Sequence, residues 1–296
     1  MPDVFTENTV NKIALPKNSN LINYSVLNEF YSPSPFRSFS IKYVVDGSEL
    51  YSVNGNKYVI KNKQYLLANK FSEGFVEVDS KKSVTGICID VAPSILSEVV
   101  ASYLKPDTNI SDIDLDRFFN TPSFLENKYN ANQTQLGQFM LGLESVLLNN
   151  PTSELHLTNE FYYTLAEKIV EDHIPVFKQF QSVKAIKIQT KKELLRKLYR
   201  SKDYIDTYFS SPISVESLAL EVGLSEYHFF RLFKSVFSLS PHQYIIQKRL
   251  WFAKSILKSE QLDVSTVSIL SGFSDIYSFS KAFKKHFGFS PSKILA

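Results

Sequence analysis

The chain has 296 residues, room for about two domains at roughly 150 residues each. A hydrophobic share of 44%, a charged share of 21% and an aromatic share of 14% exclude a disordered or collagen-like chain. The single cysteine, Cys88, excludes an intramolecular disulfide and any multi-cysteine metal site. The net charge of +3 hides an asymmetry: residues 1–180 carry 15 Lys and Arg against 21 Asp and Glu, whereas residues 181–296 carry 18 against 9. The basic C-terminal part is therefore the one expected to meet a polyanion.

Along the chain, the opening residues MPDVFTENTV show no basic start followed by an apolar run, and no stretch approaches the length of a membrane span. A cytoplasmic chain without a membrane partner is expected. Residues 36–91 then read as short strands. Phe39, Ile41, Tyr43 and Val45 alternate with Ser40, Lys42 and Val44, and Asn54-Gly55 between SELYSV and NKYVI is a hairpin signal. Further runs at YLLA, GFVEV and VTGICIDV point to a sandwich or barrel. Tyr43, Tyr51, Tyr58, Tyr65, Phe71 and Phe75 are candidates to line a small-molecule pocket, with Arg37 as an anchor for an anion, although any one ring is more often simply core. None of the five histidines falls in residues 36–91, so no metal site is expected there. Glu49, Glu73, Glu77 and Asp90 are expected to face water, and Cys88 to be a small buried hydrophobe. No nucleophile–base arrangement and no phosphate-binding glycine loop is present. The reading is therefore no enzyme, no catalytic residues and no cofactor.

After Pro93 the pattern turns helical, through SILSEVVASYL, QTQLGQFMLGLESVLL and LTNEFYYTLAEKIVEDHI. Leu136, Phe139, Met140, Leu143, Val146 and Leu147 share one face, and Phe161, Leu165 and Ile169 share another. One stripe covers the barrel and the second is left for a partner, which predicts a homodimer.

The C-terminal third contains a repeat. Residues 227–242, YHFFRLFKSVFSLSPH, align with residues 277–292, YSFSKAFKKHFGFSPS, at an offset of 50. Each copy reads as a helix–turn–helix. Ser214 starts the first, Gly223 breaks it and Ser225 caps its second helix; in the other copy Ser265 starts, Gly272 breaks, and Ser274 or Asp275 caps. Each second helix has two faces. Phe229, Leu232, Phe233 and Val236 make a core stripe, as do Phe279, Ala282 and Phe283. The other face holds Tyr227, Phe230, Arg231 and Lys234 in one copy and Tyr277, Ser280, Lys281 and Lys284 in the other. Aromatic, small polar and cationic groups on one helix face are what a major-groove reader needs.

The stretch GLSEYHFFRLFKSVFSLSPHQYIIQKRLWFAKSIL, followed by ILSGFSDIYSFSKAFKKHFGFSPSKIL, resembles the AraC/XylS family of bacterial transcription regulators. The resemblance implies an α+β chain. A cupin-like (jelly-roll) β domain with trailing helices, over residues 1–180, would bind an effector and dimerise. A linker follows over 181–194, then an all-α DNA-binding domain over 195–296 with two helix–turn–helix units held apart by a long helix near Pro241–Lys258. It implies base contacts by Tyr227, Phe230 and Arg231 and by Tyr277, Ser280 and Lys281, although Phe230 departs from the polar residue often found at its position. Lys234 and Lys284, one turn farther, are placed for phosphates. The implied partners are double-stranded operator or promoter DNA, RNA polymerase, a small-molecule effector and a second copy of the chain. The competing readings are a regulator whose N-terminal domain only dimerises, a metal-free cupin enzyme with a fused binding module, and an architectural DNA-binding protein.

Overall fold

The computed structural model describes residues 3–6, 17–103, 110–149, 158–259 and 262–294. It divides into two compact units, Met1–Phe177 and Lys178–Ala296. No helix among the described residues is long and apolar enough to cross a membrane.

In the first unit one sheet curls into a nearly closed, barrel-like wall. Its strands are β1 (Asp3–Phe5), β2 (Leu21–Ser32), β3 (Phe39–Asp46), β4 (Ser48–Val53), β5 (Asn56–Lys61), β6 (Gln64–Ala68), β7 (Gly74–Val91) and β8 (Asn127–Asn130). The order is β1-β2-β7-β3-β6-β8, with β4 joining β5 to β7. Only β1 with β2 is parallel. The long strand β7 bends the sheet round. Residues 85–91 pair with β3 and residues 74–77 with β4, while β2 runs beside both parts. Asn54 and Gly55 close the β4–β5 hairpin with φ of 49° and 80°, the geometry that matches strand twist. Val44, Tyr51, Val53, Ile60, Leu66 and Val76 fill the interior.

Four helices trail the sheet: α1 (Pro93–Tyr103), α2 (Asp112–Asn120), α3 (Gln135–Asn149) and α4 (Asn159–Ser182). The rings of Phe119 and Phe124 meet the Phe39 ring of β3 edge-on, at 5.9 and 4.9 Å, and Tyr43 donates a hydrogen bond to Glu144 of α3. His173 of α4 is fully buried, with Nδ1 2.8 Å from the Ile169 carbonyl and Nε2 3.2 Å from the Tyr129 hydroxyl. Burial holds its pKa down to about 4, so it is a neutral core histidine.

Several expectations need correction. The strand β3 was expected to bury one face, and it buries both: Ser40 and Lys42 are as hidden as Ile41 and Tyr43, because helices cover the outside of the wall while the polar residues face the barrel interior. Glu49 and Asp90 do not face water; they are 7% and 3% exposed. The strand β2 carried no clean alternation and went unread.

The second unit begins with the last turn of α4 and continues through α5 (Ile188–Tyr208), α6 (Val215–Glu221), α7 (Glu226–Phe237), α8 (Pro241–Ser259), α9 (Val264–Leu270) and α10 (Ile276–Phe287), ending in a 3-10 turn over Pro291–Ile294. The stretch 181–194 is helical at both ends, since α4 runs to Ser182 and α5 starts at Ile188. Leu195, Leu198 and Ile205 give α5 a buried stripe of its own. Ser214 caps α6 and Ser225 caps α7, each through its hydroxyl. Asp263, not Ser265, caps α9, because its carboxylate takes two amides at once, Ser265 at 2.9 Å and Thr266 at 3.0 Å. Asp275 caps α10.

The two copies differ at their ends. Ser238 follows α7 at φ 60°, whereas Gly288 follows α10 at φ 83°, both left-handed. A side chain there costs roughly 1–2 kcal/mol that glycine avoids. A Cβ at Gly288 would meet nothing within 4 Å, so backbone strain alone is at issue. Ser238→Gly is expected to raise stability by up to about 1 kcal/mol, and Gly288→Ala to lower it by about 1 kcal/mol. Urea unfolding of the full chain checks both, and equal signs would reject the pairing.

Candidate nucleic-acid interface and a polar cavity

The two helices with cationic faces are fixed by what their other faces bury. In α7, Phe229, Leu232, Phe233 and Val236 are buried, and the Phe233 ring lies 5.8 Å from Tyr244 of α8. In α10, Phe279 and Phe283 are fully buried in a cluster with Leu250, Ala253 and Leu257 of α8. Burying a phenylalanine contributes roughly 1.5–3 kcal/mol relative to leaving it in water, so these rings decide which way each helix is turned. Both helices therefore pack on α8, whose 19 residues span about 28 Å at 1.5 Å per residue.

The faces left outside are the ones the sequence singled out. Tyr227 and Tyr277 are 71% and 74% exposed and Phe230 40%. Arg231, Lys234, Lys281 and Lys284 are exposed, and Ser280 is half-buried. Arg231 donates from Nη1 to the Tyr227 hydroxyl at 3.2 Å, and its guanidinium lies 5.6 Å from that ring. An open cleft in this unit is lined by His242, Gln243 and Gln247 of α8 and by Lys285 and His286 of α10. Sequence reading did not single out these groups, because a face shared between α8 and α10 has no period within either helix.

Two cations that seemed free for a polyanion are engaged internally. Lys248 meets Asp206 of α5 at 2.8 Å, and that carboxylate also accepts from Tyr244 at 2.7 Å and Lys202 at 3.0 Å. Arg249 donates to the carbonyls of Phe209 and Ser211 at 2.7 and 2.9 Å. These contacts hold α8 against the end of α5.

The first unit holds a separate cavity of about 300 Å³. Tyr43, Tyr51 and Arg37 line it as expected, whereas Tyr58, Tyr65, Phe71 and Phe75 do not. Its polar groups are others. Lys42 Nζ lies 2.6 Å from Cys88 Sγ and 3.8 Å from Asp90 Oδ1, and Tyr51 donates to Glu49 at 2.7 Å. Burial alone would lower the Lys42 pKa, but the Cys88 sulfur and the Asp90 and Glu49 carboxylates raise it on balance. Burial pushes the Cys88 thiol up to about 11 and raises Glu49, the latter partly offset by Tyr51 and Lys42. Cys88 is thus more than apolar filling. No group of three or more His, Cys, Asp and Glu among the described residues is placed to hold a metal.

Residues 218–296 match a family model described as a helix-turn-helix domain. The chain is 40% identical over 91 residues to the probable transcriptional regulator LumQ of Photobacterium leiognathi, covering 31% of this chain and 37% of that protein. It is 32% identical over 142 residues to the Msm operon regulatory protein of Streptococcus mutans, covering 48% of this chain and 47% of that protein. The chain thus spans less than half the length of these relatives. Among solved structures, an AraC-type transcriptional regulator from Chromobacterium violaceum is 26% identical, with a TM-score of 0.33 over 34% of this chain and 90% of that one.

The Asp206 cluster gives a pH-dependent expectation. Burial would raise this carboxyl, but the hydrogen bonds from Lys248, Tyr244 and Lys202 hold it below the ordinary 3.8. A depressed carboxylate stabilises the fold above its unfolded value, and the contribution is lost as the pH falls through the folded one. Asp206→Asn is expected to cost about 1–2 kcal/mol near neutrality, the partial exposure of the site limiting the effect. The gap to the unmutated protein should close as the pH drops below 3.8. Unfolding curves over a pH series measure it; a gap that does not depend on pH would reject the ionic account.

Proposed function

We propose that the chain is a sequence-specific DNA-binding regulator of transcription, on the premise that its C-terminal unit is a helix–turn–helix domain of the AraC family. One observation carries the reading. The same exposed pattern, a tyrosine with a cation one turn on and a lysine the next, occurs on both α7 and α10, and both helices pack on the one helix between them. A solvated amphipathic helix has no reason to repeat that pattern at equivalent positions. The relatives matched over the C-terminal part are themselves named as regulators.

In this reading α7 and α10 enter successive major grooves of double-stranded DNA, which lie roughly 34 Å apart along the duplex. Tyr227 and Arg231 meet base edges in one groove, and Tyr277, Ser280 and Lys281 in the other. Phe230, open to solvent, meets a thymine methyl. Lys234 and Lys284 reach phosphates. The N-terminal barrel is the effector and dimerisation domain; Val146 and Leu148 of α3, 48% and 52% exposed, are the apolar side chains offered to a second copy. RNA polymerase is the further partner, and the bacterial cytoplasm, where the DNA is, the place of action. The reading with dimerisation alone differs from this one only in leaving the barrel empty.

Footprinting on DNA fragments selected by the purified protein tests the reading. Two protected major-groove patches about one helical turn apart are expected. Salt-sensitive binding without protected bases on any selected fragment would overturn it. Arg231→Ala should cost about 1–3 kcal/mol on the selected site and less on random duplex. Lys284→Ala should instead weaken binding on all sequences alike and reduce the slope of log affinity against log salt by about one, leaving the preferred sequence unchanged.

A further inference from the structure

We infer that the cavity inside the N-terminal barrel binds a small, uncharged, polyhydroxylated molecule, a monosaccharide or a polyol of similar size; the inference rests on the reading of that unit as the effector domain. Strand register makes the cavity polar by construction. Asn23 of β2, Cys88 of β7 and Lys42 of β3 are direct neighbours in one row. The row to one side contains Asp90 and Ser40, and the row to the other Ser25 and Gly86. Since side chains alternate along a strand, all these residues share the inner face.

Such a row is costly in a barrel interior unless its charges are matched, and here they are. Lys42 is balanced by Asp90 at 3.8 Å and by nearby Glu49. Asp90 also accepts from the Ser40 hydroxyl at 2.5 Å. Glu49 accepts from Tyr51, and its inward position depends on Gly86, where a Cβ would lie 2.8 Å from Glu49 Oε1. A charged ligand would add an unmatched charge to this buried set, whereas a neutral one adds none. Arg37 does not alter the balance, because it is half-exposed at the rim and screened by water.

What remains open in the cavity is hydrogen bonding. Asn23 is 2% exposed, yet its Oδ1 has no hydrogen-bond partner among the described residues. A buried acceptor left so costs roughly 1–3 kcal/mol, which a ligand donor would recover. The Lys42 ammonium has three N–H groups, of which one is directed at Cys88; Asp90, at 3.8 Å, is beyond hydrogen-bond reach. It can therefore donate to a ligand oxygen. A hydroxyl group donates and accepts at once, and adjacent hydroxyls satisfy Asn23 and Lys42 together. The rings of Tyr51 and Phe30 supply apolar walls for the carbon skeleton. A volume of about 300 Å³ lies at the small end of the roughly 300–1,000 Å³ usual for ligand sites.

Calorimetric titration of the full-length protein, with no DNA present, provides the test. The probes are D-glucose, D-galactose, D-ribose, glycerol and myo-inositol, with D-glucuronate and D-glucosamine as charged counterparts. Saturable binding of at least one neutral probe is expected, with both charged counterparts at least about tenfold weaker. Asn23→Leu should weaken that binding about tenfold or more, and Asn23→Ser, a smaller change, should weaken it less. Thermal unfolding and the DNA footprint of each variant show that it is folded. No binding by any neutral probe, tighter binding of a charged counterpart, or undiminished binding by a folded Asn23→Leu protein would each overturn the inference. A protein that binds the sugar but shows no footprint would count against the regulator reading instead.

Discussion

The orientation of α7 and α10 depends on one constraint, the burial of a narrow phenylalanine stripe on each against a shared helix. Phe229 and Phe233 settle one helix and Phe279 and Phe283 the other. A helix turned by the removal of those rings from water has no freedom over what it shows outside. The cationic face is therefore a by-product of the core, and its position is as rigid as the packing beneath it. The salt-bridge and carbonyl contacts of α8 with α5, through Asp206, Lys248 and Arg249, extend that rigidity to the start of the domain.

The N-terminal unit reverses the usual economy of a barrel. Its long strand β7 is half-covered in its first part and buried on both faces in its second, because β2 and β3 flank it and helices close over the wall. That double burial is what allows the apolar residues of β3 to serve the helix side and leaves the inner face to polar ones. Ionic pairs inside a protein are weak sources of stability, since desolvation offsets most of their attraction. Their presence here is better understood as shaping the cavity than as holding the barrel together.

The helical part of the molecule was legible in the sequence because its signals are local. A period of three to four residues, a serine or aspartate cap and a breaking glycine lie within a dozen positions, and the repeat doubles the evidence. The eight residues assigned to DNA all lie on the expected outer faces, Ser280 least openly. Legibility failed where the deciding contact came from far along the chain. Ser40 and Lys42 look like an outward face until helices some eighty residues later cover the other side. Glu49 reads as a surface residue until Gly86 opens a space for it. The strand β2 mixes polar and apolar residues on both faces, since one face lines a polar cavity, and so it shows no alternation. The cap of α9 was missed for a smaller reason: Asp263 stands two residues before the serine that resembled a start, and a carboxylate outcompetes a hydroxyl for two amides.

The pairing of Arg231 with Tyr227 makes the two reading helices unequal. An arginine loses up to about 2 kcal/mol of rotamer entropy when it is immobilised. In α7 part of that loss is already incurred on folding, since the hydroxyl and the ring of Tyr227 hold the guanidinium in place. The second helix carries Lys281, a flexible point charge whose ordering falls entirely on the moment of docking. Preorganisation thus differs between two otherwise matched elements. In the proposed complex, the first helix would pair a planar fork with one base, and the second would tolerate several. An operator for this protein should therefore have one strictly specified half and one permissive half, an asymmetry that sets the direction in which a single protein molecule lies on the DNA.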